Sequence, residues 1–524
     1  MIPSPTKGSK ISKQTLPVSE AQDRPNTSQA QRMGGSLVWS QIGRMLDVGL
    51  GLAFAVLVVR ALGPQDYAVY AVAWGIIGVA VLVASLGYSE TLTRYLSIFT
   101  LCSAATAATF VRRLLAERTF IGLLIALAVW VGVGPISAWT HTPALYQVIG
   151  LVVLLIVTQS VWDLLVAYYN ASLRMRDHTA VRTVGQVSSL LVALSLFTVW
   201  GIQIWVPFVA VLTSYLVSII LYLLGVRETL TSPGNPIGMR DARRFGGYVW
   251  LTNMATFGLV SQIDILLIAV LLQESSQVSF YNVAVLLLSR LYSVLTGWTA
   301  SLMPSAAEAH TLRGDAGLAR SFDLYMKVNL AVLVPPFIFV AAFAHSMIVT
   351  FFGEAFAPAG SLLWIYALFS LASTFAGANV CHPILYVANR QRTLLGLRIT
   401  AGALNIALDV LLIPLLGAAG AVIATSVSNL TTHTVELALL RRATQASYPV
   451  AVAAKFLGAS LLATIPAMFL SNAGWISLTS GALMFGVIFA IVIWRMHPLA
   501  MSDYAALTTA LPGLRPVLRW FATA

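Results

Sequence analysis

Fourteen apolar stretches, each about 19 to 29 residues long, follow one another along the chain, and that succession leaves few folds open. They lie near residues 37–61, 68–93, 119–139, 144–168, 181–200, 203–226, 246–272, 278–303, 327–350, 359–387, 394–416, 419–440, 453–471 and 475–495. In hydrocarbon each backbone polar group must be satisfied within its own segment, so such spans are helices. Only 10% of the residues are charged and 58% are hydrophobic, against roughly 25% charged in soluble domains. The expected class is an all-α polytopic membrane protein, surrounded by membrane lipids.

The charges orient these spans. The connections after odd-numbered spans (LGPQDY, THTP, GIQI, QESSQ, FFGEAFAP, LLGAAG, SNAG) contain no Lys or Arg. The opposite side carries, among others, Arg112, Arg113, Arg118, Arg174, Arg240, Arg313, Arg390, Arg441 and Arg442. By the positive-inside rule both termini are cytoplasmic. The net charge of +12 is spread between spans, which fits membrane loops and not a nucleic-acid face. Residues 1–36 read as a disordered polar tail without a signal-peptide core, and 496–524 as a second cytoplasmic tail. Cys102 and Cys381, the two cysteines, read as packing residues.

A weak repeat relates the halves. At one offset of 211 residues Gly35, Val38 and Trp39 match Gly246, Val249 and Trp250, and Tyr70, Val72 and Ala73 match Tyr281, Val283 and Ala284. Arg182 to Gly201 and Arg398 to Gly417 are segments of equal length, each opening on Arg and turning at Gly. The repeat implies an N-lobe over 37–226 and a parallel C-lobe over 246–440, with two appended spans over 453–495. Transporters of this build hold substrate between the lobes and alternate access by rocking. Pro207, Pro335, Pro336, Pro383 and Pro466 fall inside spans and are candidate bends.

Charges within spans are costly and mark sites. Asn405 and Asp409 are four apart on one helix face. Asp409 and Thr425 are each eight residues from the turn at Gly417, so both lie roughly 12 Å below one membrane face. Asp264 lies roughly 14 Å below it on another span. Two carboxylates, an amide and a hydroxyl at one depth make hard oxygen ligands, suited to Na⁺ or a titrating proton. The alternative is that each Asp bonds separately to neighbouring helices. Arg290 sits about 16 Å deep in its span, either facing an anionic substrate such as a pyrophosphate or bridging to Asp264. Arg44 and Asp47, three apart, form a second candidate, with Arg60 nearer the helix end. Asp163 reads as a solvated or capping group, and Glu90 and Arg94 as an i, i+4 pair.

No catalytic constellation, metal spacing or Walker motif appears. The short outer loops leave no folded domain for a polymerase or glycosyltransferase, and the chain does not read as an enzyme.

Two segments, VVRALGPQDYAVYAVAW with ASLGYSETLTRYLS (Val58 to Ser97) and ALNIALDVLLIPLLGAAGAVIATSVSN, resemble the polysaccharide-biosynthesis (Wzx-type) flippases of the multidrug/oligosaccharidyl-lipid/polysaccharide exporter superfamily. The likeness implies two six-helix lobes around a cationic cavity. It also implies movement of an undecaprenyl-diphosphate-linked oligosaccharide between leaflets, coupled to an ion gradient. Polysaccharide polymerase and export proteins are the implied partners. Two positions depart from the pattern: Ala68 stands where the LGPxxYG motif has Gly, and Asp409 where Asn is common. Asp264, Asn405, Asp409 and Thr425 together resemble the sodium site of the related lipid II flippase, whose cavity arginines on helices 1 and 8 correspond by helix to Arg44 and Arg290. Alternatives are a lipid II flippase, a drug/cation antiporter with an anionic cavity, and a non-transporting scaffold.

Overall fold

The computed structural model describes residues 27–232, 238–254 and 263–498. Among them the secondary structure is helical throughout: α1 (Thr27–Ser85), α2 (Tyr88–Cys102), α3 (Ala104–Val131), α4 (Val133–Trp139), α5 (Leu145–Ala171), α6 (Met175–Trp200), α7 (Val206–Thr231), α8 (Arg240–Asn253), α9 (Ile263–Leu271), α10 (Ser276–Leu295), α11 (Leu302–Phe352), α12 (Ala359–Phe375), α13 (Cys381–Val387), α14 (Gln391–Leu416), α15 (Ala418–Thr444), α16 (Val450–Ala467) and α17 (Trp475–Met496).

Ten of the described helices are long and apolar enough to cross a membrane. The remaining expected spans are accounted for by division and polarity. The first two share α1, which folds back at Gly63 (φ 70°) ahead of Pro64. The seventh is α8 and α9, flanking residues 255–262, which lie outside the described residues. The tenth is broken into α12 and α13, and the twelfth, α15, carries His433, Glu436, Arg441 and Arg442. Bulky apolar side chains such as Leu123, Val131, Val199, Leu415, Phe469 and Ile476 stand exposed on the outside of the bundle, where lipid tails replace the missing neighbours.

Three expectations change here. The tail expected over 1–36 is helical from Thr27 onward; residues 1–26 and the tail from 499 lie outside the described residues. Pro207 occupies the first turn of α7, where its missing N–H costs nothing, so it is no bend. α11 breaks at Gly314 (φ 58°) and not at Pro335 or Pro336, which keep helical backbone.

The repeat has a structural counterpart. α6 and α14 are both 26 residues long and both end on a Gly at positive φ, Gly201 (73°) and Gly417 (62°). Val72, Ala73, Val283 and Ala284 are all buried. The halves touch at both ends. Toward Gly63, Tyr67 Oη donates to Asn282 Oδ1 at 2.7 Å and Ser279 to the Pro64 carbonyl. At the opposite end Gln41 Nε2 donates to the Gly297 carbonyl at 3.3 Å, Trp250 Nε1 to that of Leu82 at 3.3 Å, and Asn253 Nδ2 to Glu90 Oε1 at 2.7 Å. Glu90 and Arg94 therefore do not pair. Arg94 lies over the Phe245 ring instead, 4.3 Å from its centroid, because aromatic faces of a packed bundle compete well for guanidinium.

Candidate functional site

The α14–α15 hairpin sets the first site. Gly417 reverses the chain, and α15 then runs back so close that a Cβ on Gly420 would lie 2.4 Å from the Leu412 carbonyl. Gln277 Oε1, from the start of α10, accepts the Ala418 N–H at 3.2 Å and pins the turn. The tight return keeps Asp409 and Thr425 at one depth. α9 brings Asp264 against them.

Asn405 Nδ2 donates to both carboxylates, at 3.0 Å to Asp264 Oδ1 and 2.8 Å to Asp409 Oδ2. Thr425 Oγ1 and Tyr281 Oη each donate to Asp264 Oδ2 at 2.5 Å. Asp264, Asn405 and Asp409 are at most 1% exposed and Thr425 is 8% exposed. Among the described residues no Lys, Arg or His pairs with either carboxylate. Asp409 Oδ1 and Asn405 Oδ1 are buried without a donor. Two carboxylates bridged by one amide, with two acceptor oxygens left over, need a cation or a proton to offset their charge. The four expected residues thus meet, and the idea that each Asp bonds separately falls away. Tyr281 was missed as a ligand of the group, although its place in the repeat marked it.

The second site lies where the halves meet. Asp47 of α1 accepts from Arg182 of α6 (Nη2 2.7 Å, Nε 2.8 Å) and from Gln186, and its other oxygen lies 3.8 Å from Arg290 Nη1 of α10. Arg290 bridges the halves through Asp47, not to Asp264. It lies flat on α1 because residue 51 is Gly: a Cβ there would sit 3.3 Å from Arg290 Nη1. Arg44 makes no ion pair among the described residues, so the expected Arg44–Asp47 pair is not formed; Asp47 turns to the bundle interior, where two guanidiniums from other helices reach it. Arg182, used above only as a repeat marker, belongs to this site. Arg60 is elsewhere: it donates to the Thr350 and Phe351 carbonyls at 2.6 and 2.8 Å, closing the last turn of α11. Asp163 pairs with Arg118 at 3.6 Å, and Arg118, expected on the cytoplasmic surface, is 1% exposed with Nε on the Ser160 carbonyl.

These arrangements gather cations between two half-bundles and bury a carboxylate pair inside one of them. A sequence profile described as "Polysaccharide biosynthesis protein" matches residues 57–360. The structure is similar to the lipid II flippase MurJ in an inward closed conformation, with a TM-score of 0.67 at 14% identity, covering 87% of this chain and 97% of that one. It is also similar to an inward-facing multidrug resistance MATE family transporter of the MOP superfamily (TM-score 0.56, 15% identity, 77% of this chain and 98% of that one). A third likeness is to a MOP superfamily transporter from Pyrococcus furiosus (TM-score 0.50, 14% identity, 78% and 95%). At these identities the likenesses show the fold alone. No curated protein matches the chain.

Proposed function

We propose that this chain, which belongs to the polysaccharide biosynthesis protein family and shares the fold of the MurJ and MATE structures, flips an undecaprenyl-diphosphate-linked oligosaccharide across the bacterial inner membrane, with both termini cytoplasmic, for surface-polysaccharide synthesis. The observation that carries this reading is the meeting of Arg182 and Arg290 on one carboxylate at the junction of the halves, with Arg44 one turn away on α1. Arg182 and Arg290 are about a third exposed, at 36% and 37% of their side chains. A diphosphate has the charge and the paired oxygens to replace Asp47 on both guanidiniums. Asp47 then serves as a stand-in anion that keeps the arginines ordered and their charge offset while no substrate is bound.

Asp264, Asn405, Asp409 and Thr425 supply the coupling site, for Na⁺ or H⁺. An ion drives the cycle only through a difference in its affinity for two conformations. The residues fit that demand, because the ligands come from α9, α14 and α15, and a relative shift of α9 opens or completes the set. A drug/cation antiporter reading asks for an anionic cavity and is disfavoured by the three arginines. A lipid II flippase reading shares the diphosphate chemistry and is separated by whether loss of the protein is lethal.

The test is made in a deletion strain. Complete lipid-linked repeat units should accumulate facing the cytoplasm while surface glycan is lost, and Arg290→Ala should reproduce this with normal protein levels. Normal lipid-linked pools together with normal surface glycan would overturn the assignment.

A further inference from the structure

A cavity of about 560 Å³ lies inside the C-terminal half, walled by α10, α12, α13, α14 and α15. We propose that it is a second ligand site, one that takes a sugar ring bearing an acidic substituent. It is separate from the arginines at the lobe junction. Arg290 faces α1, whereas Tyr292, two residues on and so on another face of α10, lines the cavity.

Its size falls in the range of small-molecule pockets, roughly 300–1,000 Å³. The backbone around it is broken. Between α12 and α13 the chain leaves the helix, with Gly377 at φ 82° and Asn379 at φ 70°. Non-helical backbone at membrane depth is tolerated where it lines a polar cavity, and interrupted helices form the binding sites of many transporters. Asn379 is held in this conformation by Tyr292, whose Oη donates to its Oδ1 at 2.6 Å.

The charge is arranged about Glu436, which is 1% exposed. His382 Nδ1 lies 2.8 Å from Glu436 Oε1, His433 Nδ1 3.4 Å from Oε2, and Arg398 Nη2 3.6 Å from Oε1. A carboxylate only accepts, so both imidazoles donate through Nδ1 and leave Nε2 for the cavity. One buried acid thus orients three basic side chains from three helices, and all three line the cavity. The rest of the wall is uncharged and sets polar side chains among apolar ones such as Leu288, Ala378 and Pro383. The Asn429 amide has no partner among the described residues, and Ser426 Oγ is buried without one, on a residue 2% exposed. Tyr366 and Phe369 add aromatic faces.

This combination selects the ligand class. Arg398 offsets Glu436, which leaves no surplus negative charge for an organic cation. Among the described residues no group of three or more His, Cys, Asp or Glu could hold a metal ion. Amide and hydroxyl groups, the imidazole nitrogens and the aromatic faces suit a polyhydroxylated ring, and Arg398 suits a carboxylate or phosphate on it. Under the repeat Arg398 is the counterpart of Arg182, so each half presents the same arginine to an anion. Ser426 adjoins Thr425 on α15, so occupancy of the cavity bears directly on the helix that supplies the threonine of the carboxylate site.

The inference rests on the flippase reading only for the source of the sugar. The full chain in lipid nanodiscs is probed by saturation-transfer NMR with free hexuronate, hexose and N-acetylhexosamine. Hexuronate should give the strongest transfer. Filling the cavity from either of two helices, with Asn429→Leu or Ser370→Leu, should weaken binding by about tenfold or more. Arg398→Gln should remove the hexuronate preference. Thermal unfolding selects the leucine variants that remain folded. Transfer to none of the three sugars, or undiminished transfer in a folded leucine variant, overturns the proposal. The flippase reading fails by a different result, normal lipid-linked pools in the deletion strain.

Discussion

Replacing Asp409 with Asn removes one charge from the carboxylate pair and changes its shape little. The Asn405 amide nitrogen lies 3.0 and 2.8 Å from the two carboxylates, so their facing oxygens are within about 6 Å, and a cation between them sits ~3 Å from each. At an effective permittivity of about 20, one unit charge at that distance contributes about 5 kcal/mol. The amide oxygen of Asn returns part of this as a neutral ligand, so a loss on the order of a hundredfold in apparent cation affinity, about 2.7 kcal/mol, is the expected floor. The same substitution removes a titrating site if the ion is H⁺. The assay is Na⁺-dependent thermal stabilisation of the purified protein, paired with transport in vesicles under imposed sodium or pH gradients. Asp409→Asn should insert and fold normally, lose the Na⁺-dependent stabilisation, and transport without responding to the gradient. If it keeps the Na⁺ and pH dependence of the natural protein, the charge argument is wrong and the pair is structural.

Tyr281→Phe removes one of two hydroxyls on Asp264 Oδ2 without opening a cavity; a hydrogen bond to a charged group contributes about 1.5 to 3 kcal/mol. Its ion affinity should fall roughly tenfold or more in the same stabilisation assay, with the fold intact by gel filtration, and an unchanged affinity would remove Tyr281 from the site. Arg60→Ala frees the two carbonyls at the end of α11. Discounted for the partial exposure of that end, the loss is about 1 to 2 kcal/mol. Detergent unfolding should register it as a lower Tm, with binding of a soluble diphosphate unchanged; weaker diphosphate binding at an unchanged Tm would return Arg60 to the substrate site.

What the sequence made legible follows from where the information is local. The Asp409–Thr425 pairing could be read because Pro414 and Gly417 fix a hairpin, and two equal counts of eight from its turn fix equal depth. Adding Asp264 needed only its distance from the next polar loop. These are arguments about depth, and a membrane makes depth readable. Rotation about each helix axis is not readable in the same way, because the spans are apolar nearly all round. That is why Asp47, with Arg44 three residues away, was assigned to its own helix, whereas α6 and α10 present Arg182 and Arg290 to it. The same limit moved Glu90 from Arg94 to Asn253, and Arg118 from the surface to a buried place beside Ser160 and Asp163. The C-terminal cavity was hidden for a further reason. Its basic side chains are 16 and 35 residues apart along the chain and converge only because α12 breaks at Gly377 and Asn379, a feature that an unbroken apolar span over 359–387 does not contain. The repeat held one further clue. If Arg182 and Arg398 are counterparts, an anion partner for one predicts an anion partner for the other, and both have one: Asp47 in the N-terminal half and Glu436 in the C-terminal half. A duplicated arginine that kept a carboxylate in both halves, on different neighbouring helices each time, points to a demand on the arginine itself, that it be ordered and ready to exchange one anion for another.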